Sequence, residues 1–239
     1  MEGIEYHDKT AIPEKIKQIV VTRDVQRYYA SIQYETEEGA PKGIGVTGID
    51  MGLMAFLTTS DGLQIFPMNS LRKVEKKLKK EQRRLSGKRK GSENRKKQII
   101  KVKKIQQKIR DARTDFNHKV STAIAKHYGT VVMEDLNIQG MQQNHNLSKS
   151  ITDQGWYQFK TMLQYKLKWR EADLIETGRF APSSKTCSKY GNIKRDLNAA
   201  INIRNIGMIK VGKGIPELTP VESATAAELS KGGLRVATL

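Results

Sequence analysis

Three carboxylates of this chain stand where apolar runs end, far apart in sequence. Asp50 closes the run from Ile44 to Ile49, Glu134 follows the β-branched stretch from Thr130 to Met133, and Asp196 opens a helical pattern carrying Leu197, Ala200, Ile201, Ile203 and Ile206. Hard oxygen donors of this kind suit Mg²⁺, and a carboxylate cluster is what phosphodiester hydrolysis with two ions about 3.5–4 Å apart requires. A plainer reading stands beside it: Asp is common in turns, and Asp196 can serve as an N-cap or first-turn acid.

The elements that must gather these acids follow from periodicity. Alternation over Lys17 to Thr22 and Tyr28 to Tyr34 predicts a β-hairpin. A strand ending at Asp50, a partner over Leu53 to Leu57 and a third strand near Leu63 to Phe66 predict a meander. From Asn69 the period turns helical, with Leu71, Val74, Leu78 and Leu85, then Ile99, Val102, Ile105 and Ile109, giving a helical hairpin whose tip is Ser86 to Ser92. Thr130 to Met133 is a buried strand whose alternation sends Glu134 and Asp135 to opposite sides, so one of them faces Asp50. An amphipathic helix over Asp153 to Trp169, with Trp156 and Trp169 on its core face, a short strand at Leu174-Ile175 and a last helix from Asp196 to Gly207 complete the set. The order is that of the RNase H-like nuclease and integrase architecture, a mixed α/β sheet flanked by helices, with Asp50 as the central, bridging ligand.

Charge narrows the partner. The 239 residues carry 43 Lys or Arg against 25 Asp or Glu, a net +18. Between residues 71 and 110 nineteen Lys or Arg face only Glu75, Glu81 and Glu93, so most of the excess lies on the helical hairpin. Like charges at i, i+4 cost roughly 0.2–0.5 kcal/mol per pair, and the acids a coiled coil would need are missing. Nucleic-acid backbone is the expected counter-charge, through Lys76, Lys77, Lys80, Arg83, Arg84, Lys88, Arg89, Lys90, Arg95, Lys96, Lys97 and Lys104, with Lys185 in a later loop. The hairpin is poor in aromatics, which favours a duplex backbone over stacked single strands. With no apolar run of membrane length and no signal-peptide order, a cytoplasmic, nucleoid-associated protein with no membrane partner is expected. The single cysteine, Cys187, excludes an internal disulfide.

Four motifs carry a resemblance: Gly48 to Leu53 (GIDMGL), Val131 to Asn137 (VVMEDLN), Pro182 to Ser188 (PSSKTCS) and Arg195 to Ile203 (RDLNAAINI). In that order they closely resemble the TnpB (OrfB) proteins of bacterial insertion sequences, relatives of the type V CRISPR effectors. The resemblance implies a RuvC-like nuclease domain with Asp50, Glu134 and Asp196 as the metal-binding triad, Mg²⁺ or Mn²⁺ as cofactor, and RNA-guided DNA cleavage with DNA and a guide RNA as partners. It also implies that the hairpin from Lys17 to Tyr34 is the end of a wedge-type β domain.

The chain departs from the family at two places. Family members carry two Cys-x-x-Cys pairs that form a zinc ribbon before the final Asp; here Cys187 is alone, Tyr190 stands where the next cysteine would be, and Asn192 runs almost directly into Arg195. A Cys-based Zn²⁺ site is not tenable. Only 49 residues precede Asp50, too few for the recognition domain and wedge barrel of the family. The expected organisation is therefore a wedge remnant over 1–42, a RuvC-like domain over 43–207 with the basic hairpin at 69–128 and a truncated ribbon loop at 179–195, and a flexible tail over 208–239. Three readings follow: a Mg²⁺-dependent DNA endonuclease, a nuclease-inactive copy that binds RNA or DNA without cutting, and a basic scaffold whose acids are caps and turn formers.

Overall fold

The computed structural model describes residues 15–35, 40–136, 140, 143, 148–178, 195–217 and 223–239. Contacts divide the chain into two units, Met1–Gly39 and Ala40–Leu239. In the first, β1 (Ile16–Asp24) pairs antiparallel with β2 (Arg27–Tyr34) through a tight turn in which Val25 takes a positive φ of 54°. This is the expected hairpin.

The second unit is built on a six-stranded mixed sheet in the order β7-β6-β3-β4-β5-β8. Its strands are β3 (Gly45–Met51), β4 (Leu57–Thr59), β5 (Leu63–Ile65), β6 (Tyr128–Glu134), β7 (Asp173–Thr177) and β8 (Val236–Thr238). β3, β6 and β7 run parallel, whereas β3, β4, β5 and β8 form an antiparallel meander. β3 is where the two halves meet. Helices α1 (Ser70–Ser86), α2 (Glu93–His127), α3 (Ser148–Gln154), α4 (Trp156–Lys168), α5 (Arg195–Lys210) and α6 (Ser223–Lys231) complete the unit. One sheet face packs Ile49, Leu57, Leu63, Val131 and Met133 against Phe116, Val120 and Ile124 of α2 and Phe159 and Leu163 of α4. The other face receives α5.

Four expectations are corrected. β4 begins only at Leu57, because the chain bends over residues 53–56 to drop Phe56 into the core, edge-on to Phe116 at 4.9 Å and Phe159 at 5.2 Å. The helix expected over Asp153 to Trp169 is two helices, broken at Gly155 in the left-handed region (φ 66°), and Trp169 is exposed, not core. Gly207 does not end α5; a Cβ there would stand 2.2 Å from Val132 Cγ1, so the glycine lets the helix press on β6 and continue to Lys210. The tail is not a loose appendage: α6 buries Leu229, and β8 extends the sheet by pairing with β5.

Candidate functional site

Asp50, Glu134 and Asp196 reach one face of the sheet by two backbone devices. Gly48 pairs with Val132 and Ile49 with Met133 in the parallel β3–β6 ladder, so the next step sets Asp50 beside Glu134 at the carboxyl ends of both strands. Side chains alternate, and Val132 meets Gly207 of α5, so Glu134 shares the α5 face while Asp135 points away. Asp135 accordingly meets Lys160 of α4 at 3.5 Å, and Lys160 also holds Glu176 at 2.6 Å on the opposite face.

The second device delivers Asp196. A Cβ on Gly48 would lie 2.1 Å from the Ala200 carbonyl oxygen and 2.6 Å from the Arg204 nitrogen, so α5 rests directly on the backbone of β3. Asp50 is two residues beyond Gly48, on the same face of the strand; Asp196 is four residues before Ala200, on the same face of the helix. The contact therefore carries Asp196 to the Asp50 end of the strand. The glycines and alanines that make this approach possible were missed as site residues. A small residue on the strand two positions before an acid, and a small pair four positions after one on the helix, is the signal that could have found them.

The electrostatics agree with that convergence. Asp50 is pushed up to about 7, first by burial and then by the charges of Asp196 and Glu134, with Arg195 partly offsetting them. Glu134 is also raised, by burial and then by Asp135. Arg195, exposed at the start of α5, is a cation at the site that the sequence reading left out. Thr177, paired with Glu134 across β6 and β7, is buried, and its hydroxyl has no hydrogen-bond partner among the described residues. Among the described residues no three His, Cys, Asp or Glu side chains stand close enough together to cage a metal ion as they lie. The acids are neighbours in charge, not a closed ligand shell.

The basic arm is where it was expected, with α1 and α2 antiparallel and zipped by Gln98, whose amide donates to the Glu81 carboxylate (2.7 Å) and carbonyl (3.0 Å). Its cations divide into two kinds. Arg84 pairs with Glu81 at 2.9 Å and Lys96 with Glu93 at 2.7 Å, while Arg95 donates to the carbonyls of Leu85 (2.8 Å) and Lys88 (3.3 Å), closing the tip. No ion pair among the described residues engages Lys76, Lys77, Lys80, Arg83, Lys88, Arg89, Lys90, Lys97 or Lys104, which face solvent as a set. Lys185, Cys187 and the expected ribbon loop lie outside the described residues. No helix among those described is long and apolar enough to cross a membrane.

The second unit is thus a mixed α/β sheet with carboxylates at adjacent parallel strand ends, crossed by an acid-bearing helix, and it also carries a basic helical arm. Residues 29–145 match the family model OrfB_IS605, described as "Probable transposase", and residues 156–195 match the model "Cas12f1-like, TNB domain". A protein of Streptomyces pristinaespiralis named "Putative RNA-guided DNA endonuclease" is 35% identical over 80% of this chain and 52% of its own length. InsQ of Escherichia coli K12, named in the same words, is 31% identical over 81% of this chain and 52% of its own. A cryo-EM structure of a Cas12f1–sgRNA–target DNA complex superposes with a TM-score of 0.52 at 20% identity, over 78% of this chain and 45% of that one, a likeness of fold alone. The chain belongs to the OrfB (TnpB) family of insertion-sequence proteins. It spans about half the length of the curated relatives it matches.

Proposed function

We propose that this chain carries the nuclease centre of a transposon-associated, RNA-guided DNA endonuclease, on a sheet of the RNase H-like (RuvC) type. The observation that carries the reading is the joint influence of Asp196 and Glu134 on Asp50, produced by the Gly48–Ala200 contact and the β3–β6 register. The donor set fits a divalent cation: three hard oxygen ligands, no histidine or thiolate, and a negative charge that burial leaves poorly compensated. Mg²⁺ or Mn²⁺ held by Asp50, Glu134 and Asp196 would supply an activated water and a counter-charge for the leaving oxygen. The chain's own residues do the rest. Asp50, held up to about 7 by burial and the neighbouring acids, would be kept ionised as a ligand by the cation's charge; the Arg195 guanidinium, beside the acids, offers itself to a phosphate; the solvent-facing cations of α1 and α2 hold the backbone.

DNA as substrate and RNA as guide are supported by the names of the relatives and by the complex to which the fold is similar. The test is cleavage of plasmid and single-stranded DNA, with and without co-purifying RNA, in Mg²⁺ or Mn²⁺, beside Asp50→Ala. Loss of cutting in the variant supports the assignment, and equal cutting by both proteins removes it. A second reading, binding without cleavage, has one observation in its favour: the acids do not form a closed ligand shell as they lie. Salt-dependent binding with no metal-dependent cutting would select it.

A further inference from the structure

The basic arm has no ring to offer a base, since residues 70–115 contain no Phe, Tyr or Trp. Rings stand free instead on α4. That helix is anchored by Phe159, Leu163 and Leu167, all buried, so its outer face is not a core surface awaiting completion. On that face Tyr157 is 73% exposed and Trp169 66% exposed. Tyr165 lies between them, its ring tilted at 57° with its centroid 4.6 Å from that of Trp169. At ~100° per residue Tyr165 and the C-cap Trp169 lie about 40° apart around the helix axis and Tyr157 about 80° from Tyr165, and the three span about 18 Å at ~1.5 Å per residue.

The cation exposed beside these rings is Lys168. Between Trp156 and Ala172 the chain carries Lys160, Lys166, Lys168 and Arg170 against one acid, Glu171. Lys160 is held by Asp135 and Glu176, Lys166 is buried with its ammonium bonded to α2, and Arg170 donates to the Pro41 carbonyl, which leaves Lys168, exposed one residue before Trp169. The row also has a direction along the sheet, on the face opposite Asp50 and Glu134. Lys160, three residues after Tyr157, reaches Asp135 and Glu176 at the carboxyl ends of β6 and β7, whereas Trp169 precedes the start of β7 at Asp173. It begins at the acidic end of the sheet and leads away from it.

We infer that the Tyr157–Tyr165–Trp169 face stacks unpaired bases of a single-stranded nucleic acid, leaving the helical arm to hold duplex backbone. Aromatic faces bind bases of any sequence, and the exposed Lys168 ammonium offers a contact to the phosphates that come with them. The inference rests on the reading that this chain handles nucleic acid, and deepens it by separating where paired and unpaired strands lie.

Two tryptophans make the test direct, because Trp156 is 3% exposed and serves as an internal reference for Trp169. The full chain is titrated with oligothymidylate, oligouridylate and a duplex of equal length, following tryptophan emission and, with labelled strands, anisotropy. Expected are quenching of the solvent-exposed emission by single strands and little by duplex. Trp169→Ala and Tyr165→Ala should each weaken single-strand binding about tenfold, the loss of one stacked base, with duplex affinity kept. Thymidylate against uridylate tells whether the strand is DNA or RNA. Anisotropy reporting bound single strand with no quenching, or Trp169→Ala weakening duplex and single strand equally, overturns the inference while leaving the proposed function standing. No binding of any strand overturns both.

Discussion

A Cβ placed on Gly48 would sit 2.1 Å from the carbonyl oxygen of Ala200, a separation that no side chain tolerates. Gly48→Ala must therefore lift α5 off β3, and overpacking of this kind costs about 1–3 kcal/mol. Thermal unfolding of the variant should fall by several degrees. The displacement matters more for chemistry than for stability, because a carboxylate moved by about 1 Å can lose roughly 100-fold in rate. Gly48→Ala that remains folded by circular dichroism is expected to lose metal-dependent cutting as fully as Asp50→Ala does. A folded Gly48→Ala with wild-type cutting would show that α5 does not set the position of Asp196.

The pH dependence of stability reports on Asp50 without any assay of activity. Its folded-state pKa of about 7 is above the ordinary 3.8, so between those values the folded protein binds the extra proton. Stability contributed by the neutral carboxyl is present at low pH and is lost as pH rises through about 7. Asp50→Asn removes this loss. In chelator it should melt higher than wild type at pH 8, by at least the 2–4 °C that ~1 kcal/mol produces in a domain of this size, and the difference should shrink toward pH 4. Mg²⁺ added at pH 8 should raise the melting temperature of wild type and leave Asp50→Asn unmoved. An equal rise in both proteins would exclude the carboxylates as ligands.

Lys166 gives a second pH signature of opposite sign. The amine is buried and donates to the His118 carbonyl and to the hydroxyls of Ser121 and Thr122, each at 2.8 Å. Burial brings it down to about 8 from 10.5. The unfolded chain then holds the extra proton between these values, so the stability linked to this group rises as pH climbs from about 8 to about 10.5. Lys166→Met keeps the stem and drops the charge. Its stability relative to wild type should be most favourable below pH 8 and decline by about 3 kcal/mol toward pH 10.5, at ~1.4 kcal/mol per pKa unit. A difference that stays flat over that range would place the ammonium in water.

These relations show which parts of the molecule were legible in the sequence. β3, β6 and the basic hairpin were read closely, because each is decided by local pattern: a β-branched run closed by an acid, or apolar positions at helical spacing. The break at Gly155 and the bend that buries Phe56 were not, since both answer to partners distant in sequence, Arg113 and Asn117 in one case and the rings of Phe116 and Phe159 in the other. Gly207 looked like a helix end because glycine usually is one, and only the approach of Val132 explains it inside α5. The tail had weak periodicity because β8 is three residues long and takes its stability from pairing with β5. For the candidate site, residue types singled out the three acids, whereas the charge influence of Asp196 and Glu134 on Asp50 depends on backbone contacts that no spacing encodes.

Loosening the tail should cost stability. Leu229 and Leu234 are both buried in the principal core, on either side of the turn between α6 and β8. Leu→Ala at a buried site costs about 2–5 kcal/mol. Leu234→Ala should lower the melting temperature of the whole second unit in one cooperative transition. Retention of the wild-type value, with protease trimming confined to the last residues, would make the tail an independent appendage after all.

The division of the arm's cations into paired and free can be resolved by salt. Lys76, Lys80 and Arg83 lie on one side of α1 at spacings of four and three, with no ion pair among the described residues. Each phosphate contact contributes about 0.9 to the slope of log K against log salt on duplex DNA. Replacing all three by Ala should flatten that slope by roughly two to three and weaken binding irrespective of sequence. Arg95→Ala should behave differently, because its guanidinium closes the tip on the Leu85 and Lys88 carbonyls. Its loss frays the junction of α1 and α2, which amide exchange at residues 84–96 would register, and changes the slope by less than one contact. A slope that falls as much for Arg95→Ala as for the triple variant would show that the tip, not the flank of α1, meets the phosphates.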